Sequence, residues 1–299
     1  MKFTIDKPIR LIEIFAGVGS QAMALREIGA DFEHYRVVEF DKYPVASYNA
    51  IHGTDFPTMD VTKITGEDLG IVDTDDYTYV LTYSFPCQDL SVAGKGKGMS
   101  KGSGTRSGLL WEVERLLNEC ENLPQVLLME NVPQVHSKKN MPDFQNWLDF
   151  LESKGYTTFW QDLNARDYGV AQSRKRCFAV SLLGDYEFDF PTPIPLEKTM
   201  ADYLEDEVDE KYYLTSDKAK ELIDKLILDG KILTLERESI IVSNCASSDE
   251  TRTPDARPTD IAATLLSRDY KGLSNYGSNA VFECQRVRVH RERDGETPE

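Results

Sequence analysis

Ile-Arg-Leu-Ile-Glu-Ile-Phe-Ala-Gly-Val-Gly, residues 9–19, decides how the fold is read. An apolar run at 9–16 enters a glycine-rich turn. A helical pattern follows, with Met23, Ala24, Leu25 and Ile28 on one side and Gly29 as its stop. A strand that passes through glycines into a helix is the opening unit of a parallel α/β sheet. Outward from it, strand patterns fall at residues 35–40, 79–83, 125–129 and 176–183, and helical patterns at 45–51, 110–117 and 144–151. This alternation predicts an α/β fold, a Rossmann-like, doubly wound, mostly parallel sheet covered on both faces.

The texture changes after Gly184. Prolines at 191, 193 and 195 mark a linker or a corner, and periodicity weakens beyond them. The expected organisation is a first domain at 1–184, a smaller second one at 185–283 and a tail at 284–299.

The chain has 299 residues, 40% hydrophobic and 28% charged, which suits a soluble core. No apolar stretch is long enough to span a bilayer, and residues 1–10 lack a secretory apolar segment. A cytoplasmic protein is expected. The five cysteines, at 87, 120, 177, 245 and 284, include no C-x-x-C pair, so free thiols and no metal site are expected. The net charge of −17 disfavours nucleic acid at first sight. Charge is a sum, however, and basic residues cluster at Lys95, Lys97, Lys101 and Arg106, at Lys138 and Lys139, and at Arg174, Lys175 and Arg176.

Gly17 and Gly19 let the backbone turn tightly and approach a ligand, although Ala22 stands where a dinucleotide fingerprint has its third glycine. Glu39 ends the second strand about 20 residues on, where an acid binds ribose hydroxyls or is a solvated strand end. Asp60, near the expected end of a third strand, is either an acceptor for an adenine amino group or a loop acid. Together these favour an adenosine-containing cofactor.

Ser84-Phe85-Pro86-Cys87-Gln88 follows an expected fourth strand, at the sheet edge where open α/β folds hold ligands. Pro86 stiffens the presentation of Cys87. Read alone, Cys87 is either a small buried apolar residue or a nucleophile. The next apolar strand ends in Glu130-Asn131-Val132. If the segment before the last strand is extended, alternation points Gln172, Arg174 and Arg176 to one face.

Phe-Ala-Gly-Val-Gly-Ser at 15–20, Phe-Pro-Cys-Gln-Asp-Leu-Ser at 85–91, Glu-Asn-Val at 130–132 and Gln-Ser-Arg-Lys-Arg at 172–176 resemble, in that order, motifs of the cytosine-5 DNA methyltransferase family. The resemblance runs from about residue 9 to residue 183. It implies S-adenosyl-L-methionine as methyl donor, held by Phe15, Ala16, Gly17, Gly19, Glu39, Asp60 and Pro86. It implies Cys87, Glu130, Arg174 and Arg176 as catalytic groups. Gln88, Ser91 and Gln172 would meet the substrate, with Thr264 and Leu265 in a target-recognition region at 185–283.

Cytosine C5 is a poor nucleophile, and addition of a thiolate at C6 makes it enamine-like, which explains the need for an activated cysteine. A base inside a duplex must first be flipped out. The implied partners are double-stranded DNA and a cognate restriction endonuclease, with the chain acting as a monomer in a bacterial or phage-infected cell.

The family also carries a final arginine segment and a closing helix. Arg286-Val287-Arg288 resembles the start of the first, but residues 289–299 show no apolar stripe. A truncated or altered, weakly docked tail is therefore expected. It raises an inactive relative that binds DNA or cofactor as the alternative. A relative acting on RNA is a third reading. An unrelated nucleotide-binding oxidoreductase is a fourth, disfavoured by the Pro-Cys-Gln turn.

Overall fold

Strand β1 (Ile9–Ile14) is apolar except for Arg10 and Glu13, and it is an interior strand of a six-stranded sheet, second from one edge. Along the chain follow α1 (Ser20–Glu27), β2 (Phe32–Val38), α2 (Lys42–His52), β3 (Thr78–Tyr83), α3 (Leu110–Glu119), β4 (Val126–Asn131), α4 (Met141–Ser153), β5 (Tyr156–Asn164), β6 (Gln172–Ser173) and β7 (Lys175–Leu183). The computed structural model describes residues 1–90 and 97–205, positions 209, 221, 224 and 228, and short strands at 239–244, 256–258, 262–263 and 279–283.

The sheet order is β2-β1-β3-β4-β7-β5. The pairs β1–β2, β1–β3 and β3–β4 are parallel, and β4–β7 is antiparallel. The α/β, mostly parallel expectation therefore holds. From β1 the chain moves outward to β2, then returns to place β3 on the other side. That reversal opens a crevice beyond the carboxyl ends of β1 and β3. Ile14 is level with Val38 and with Tyr83, and Tyr83 with Met129, so four strands release their chains at one edge.

Side-chain alternation divides the apolar residues between two cores. Ile12, Ile14, Tyr79, Leu81, Tyr83, Leu127 and Met129 pack with Val113 and Leu116 of α3 and Phe144, Trp147 and Leu151 of α4. Leu11, Val80 and Val126 face the other way, onto Ala22 and Leu25 of α1. Both faces of the sheet are thus covered, as doubly wound topology requires.

Several sequence expectations shift. The first helix buries Ala22 instead of the stripe through Ile28, which is 77% exposed at the helix end. A small residue suits close approach of that helix to the sheet. No strand ends at Asp60, which lies in a turn closed by the Lys63 amide donating to its carbonyl. The strand before Cys87 is consequently the third in the chain. The edge strand β5 has no counterpart among the expected elements.

Contact clustering separates two compact units, Met1–Leu163 with Lys175–Pro191, and Asn164–Arg174 with Thr192–Glu299. In the second unit, β8 (Ser239–Asn244) pairs antiparallel with β9 (Ala256–Pro258) and β11 (Asn279–Glu283). There β10 (Ala262–Ala263) pairs in parallel with β6. The tail at 284–299 lies outside the described residues. No helix among the described residues is long and apolar enough to cross a membrane.

Glu13 is the charge-bearing oddity of the sheet, only 1% exposed in mid-strand. Tyr48 of α2 donates to its Oε2 at 2.5 Å, while His34 Nδ1 lies 2.6 Å from the same hydroxyl. Burial pushes the Glu13 carboxyl up to about 7, against the Tyr48 hydrogen bond that pulls it down. A carboxyl raised on folding binds its proton more tightly in the native state. Stability from this group is full below about pH 4.5 and declines until pH passes about 7. In urea unfolding from pH 5 to 8, Glu13→Gln is expected to lack that decline, and the gap between variant and parent to change by about 1–3 kcal/mol. A gap that stays constant with pH would refute the assignment.

Candidate active site at the carboxyl edge of the sheet

The turn after β1 has a tight left-handed backbone. Phe15, Gly17 and Gly19 take φ of 59°, 55° and 79°, and Phe15 is the one non-glycine with positive φ among the described residues. Such a conformation costs about 1–3 kcal/mol and persists when its surroundings enforce it. Here the Phe15 amide donates to the Val38 carbonyl at 2.8 Å. Gly19 caps α1, and a Cβ there would sit 2.4 Å from His52 Nε2 and 2.6 Å from the Tyr48 ring. Gly17 differs: a Cβ would meet nothing within 4 Å, so its backbone borders open space. Ala16 between them is buried.

Glu39 follows β2 directly and holds this turn. Its Oε2 accepts from the Gly17 amide at 3.2 Å and its Oε1 from the Asp41 amide at 3.0 Å. Its own carbonyl accepts from the Met59 amide at 2.8 Å, which brings the neighbouring Asp60 to the same edge. Hydrogen bonds from the Thr62 hydroxyl and amide hold the Asp60 carboxyl below the usual carboxylate range. Beside Glu39, Phe40 is 73% exposed. The sequence reading passed over this aromatic face, whose signal was an apolar side chain at a strand's carboxyl end.

Beyond β3, residues 84–88 are fixed by neighbours. Gln21 of α1 donates to Ser84 Oγ at 3.2 Å. The buried Asn131 side chain donates to the Phe85 carbonyl at 2.9 Å and accepts from the Val132 amide at 2.8 Å. Buried Ser107 donates to the Pro86 carbonyl at 2.6 Å. The Cys87 carbonyl accepts from the Leu90 amide at 3.0 Å. Three successive carbonyls are thereby engaged, and Cys87 is presented half-buried with Gln88 exposed beside it. Asn131 belongs to the quoted Glu-Asn-Val, but its role as a tie was not read there. Ser107 carried no sequence signal.

Glu130 and Arg176 meet at the same edge, with Arg176 Nε 2.9 Å from Glu130 Oε1. Register explains the meeting. Glu130 is opposite Phe178 in the antiparallel β4–β7 pair, and Arg176, two residues from Phe178, lies on the same face. Cys120 and Cys177 are different thiols: burial pushes them up to about 11 and about 12, so they stay protonated at neutral pH.

Gln172, Arg174 and Arg176 divide between the two units. Gln172 pairs with Ala262 in the second unit, whereas Arg176 belongs to the six-stranded sheet of the first. The chain changes ladders at Arg174, whose carbonyl accepts from the Ala165 amide at 3.1 Å. Ser91, Lys95, Thr264 and Leu265 lie outside the described residues. Lys101 of the first basic cluster is paired with Glu114 at 2.8 Å.

Chemically, the edge offers a thiol on a fixed loop, a carboxylate paired with a guanidinium, and an acid-clasped glycine turn beside an exposed aromatic. Asn131→Ala would leave the Phe85 carbonyl without its donor in a buried setting. It is expected to lower stability by about 1–3 kcal/mol in chemical denaturation. An unchanged midpoint would show that the amide is not what fixes the loop.

A family model described as C-5 cytosine-specific DNA methylase matches residues 9–276. The type II methyltransferase M2.ScrFI of Lactococcus lactis subsp. cremoris is 34% identical over 277 residues, which cover 76% of this chain and 75% of that protein. The orphan methyltransferase M.SssI of Spiroplasma monobiae is 33% identical over 234 residues, covering 60% of this chain and only 61% of its own length. Among solved structures, the S. pombe Dnmt2 methyltransferase superposes with a TM-score of 0.58 at 21% identity, over 73% of this chain and 66% of that one. The Entamoeba histolytica methyltransferase EhMeth gives 0.60 at 19%, over 71% and 64%. These two likenesses speak to fold.

Proposed function

Because the chain belongs to the C-5 cytosine-specific DNA methylase family, we propose that it transfers a methyl group from S-adenosyl-L-methionine to C5 of cytosine in double-stranded DNA. The observation that carries this reading is Cys87, held on a loop at the same sheet edge as the Glu130–Arg176 pair.

The glycine turn fits the cofactor. Gly17 leaves room for a ligand against the backbone, and Glu39 keeps lone pairs for ribose hydroxyls while clasping the turn. Phe15, Ala16, Gly19, Asp60 and Pro86 complete the proposed cofactor contacts. The exposed ring of Phe40 adds a stacking face for adenine. When bound, the cofactor supplies an electrophilic methyl group.

In the proposed reaction, a flipped-out cytosine receives the Cys87 thiolate at C6, which forms the S–C6 bond and moves electron density onto C5. C5 would then take the methyl group, with S-adenosyl-L-homocysteine leaving, and loss of the C5 proton to solvent water would expel the thiolate and restore the aromatic ring. Glu130 would hold N3 and the exocyclic amine. The amine would donate to one carboxyl oxygen, and the contact to N3 requires a proton shared between N3 and the carboxyl group, while Arg176 Nε at 2.9 Å holds the carboxyl group in place. Arg174 is proposed to orient the base. Gln88, Ser91, Gln172, Thr264 and Leu265 are proposed to contact DNA, the last two within a recognition region at 185–283.

A role in restriction–modification, beside a cognate endonuclease, suits a chain resembling a type II methyltransferase. Lys97, Arg106, Lys138 and Lys139 are exposed, so DNA affinity should fall with ionic strength despite the net charge of −17.

Cys87→Ala is expected to abolish transfer of labelled methyl to mixed-sequence duplex DNA, while unfolding at the parent's denaturant midpoint. Turnover by that variant would overturn the mechanism. Duplexes carrying 5-fluorocytosine should trap the parent covalently, since fluorine cannot leave C5 as a cation. The trap should require both Cys87 and S-adenosyl-L-methionine. DNA binding without a trap would favour a non-catalytic relative.

A further inference from the structure

Three ligand-type atoms converge on the face of β7 opposite Glu130 and Arg176. His136 ends a short helical turn after β4, Asp162 lies on β5 and Cys177 on β7. His136 Nε2 is 2.9 Å from Asp162 Oδ1, and one donor atom from each residue falls within 4.8 Å of the others. All three belong to the first compact unit. The His136 ring is held against Trp160, with centroids 4.9 Å apart, so its nitrogens are aimed by packing.

We propose that His136, Asp162 and Cys177 form a binding site for a divalent cation of the zinc class, with water as a fourth ligand. An imidazole, a carboxylate and a thiolate together are a donor set for which this class has affinity and which magnesium and calcium do not favour. Tetrahedral coordination would set the donors roughly 3.5 Å from one another, so the His136–Asp162 pair, now 2.9 Å apart, would part slightly to admit the ion.

The local charge favours a cation. The Asp162 carboxylate lies within 4.8 Å of the Cys177 sulfur, and its negative charge would attract a metal that displaces the thiol proton. At present Lys175 supplies the counter-charge, its ammonium 3.2 Å from Asp162 Oδ2. That side chain is 58% exposed on a flexible stem and can yield its place. Entry is from the side of His136 and Asp162, whose side chains are 24% and 18% exposed, while Cys177 forms the buried floor. Coordination releases the thiol proton to solvent. His136 would offer Nε2, so the hydrogen that Nε2 now places toward Asp162 Oδ1 would give way to the metal, leaving the ring hydrogen on Nδ1. The ligands come from three separate elements, so no C-x-x-C spacing announces them.

Cobalt(II) added to the chelator-stripped full chain is the test. The expected result is one equivalent bound, with a thiolate-to-cobalt charge-transfer band that zinc abolishes by displacement. Cys177→Ser should remove the band, and Cys87→Ser should keep it. His136→Gln should weaken cobalt binding at least tenfold, about 1.4 kcal/mol. No band in the parent overturns the proposal, as does a band that depends on Cys87 or survives Cys177→Ser. Should Cys177→Ser fail to fold, His136→Gln decides: unchanged cobalt affinity overturns the site, and a tenfold loss upholds it.

Discussion

One buried amide joins the two halves of the proposed chemistry. Asn131 ends the strand that carries Glu130, and its side chain reaches across to the carbonyl of Phe85, two residues before Cys87. The strands alone bring these segments to a common edge, since Tyr83 and Met129 are level. They do not orient a loop. That orientation comes from Asn131, from Ser107 on the Pro86 carbonyl and from the Leu90 amide on Cys87 itself. A nucleophile must be held close to its attack geometry, and hydrogen-bonded carbonyls do this without covering the sulfur.

The neighbouring turn follows the same logic with a charge in place of an amide. Glu39 accepts from two backbone amides, one from the turn after β1 and one from the start of α2. A carboxylate clasping two loops is already oriented before a ligand arrives, which lowers the ordering needed on binding. The left-handed Phe15 is tolerated because β2 supplies its hydrogen-bond partner.

Much of this was legible in the sequence, and the reasons for success and failure are local. The glycines at 17 and 19, the run into Cys87 and the strand into Glu130 stood out because apolar strands ended abruptly in residues with specific chemistry. Strand β5 was missed because its residues are largely half-exposed and show no clear period. Asp60 was given a strand it lacks, since an acid after apolar residues looks the same in a turn. The change of ladder between Gln172 and Arg176 was not foreseen. Periodicity cannot show a chain leaving one sheet for another. Asn131 and Ser107 act through single hydrogen bonds to backbone atoms distant in sequence, a kind of contact that leaves no pattern.

The two cores of the sheet are unequal. On one side α3 and α4 bury Trp147, Phe144 and several leucines against β3 and β4, while on the other α1 contributes mainly Ala22 and Leu25. Free energy of local opening scales with the apolar surface exposed, so the thinner side breathes first. Backbone amides of α1 should therefore exchange with solvent deuterium sooner than those of β4. Phe15 of the glycine turn and Phe85 of the cysteine loop both pack with the thicker core, so the turn is anchored at its first residue while the helix it opens into rests on the thinner one.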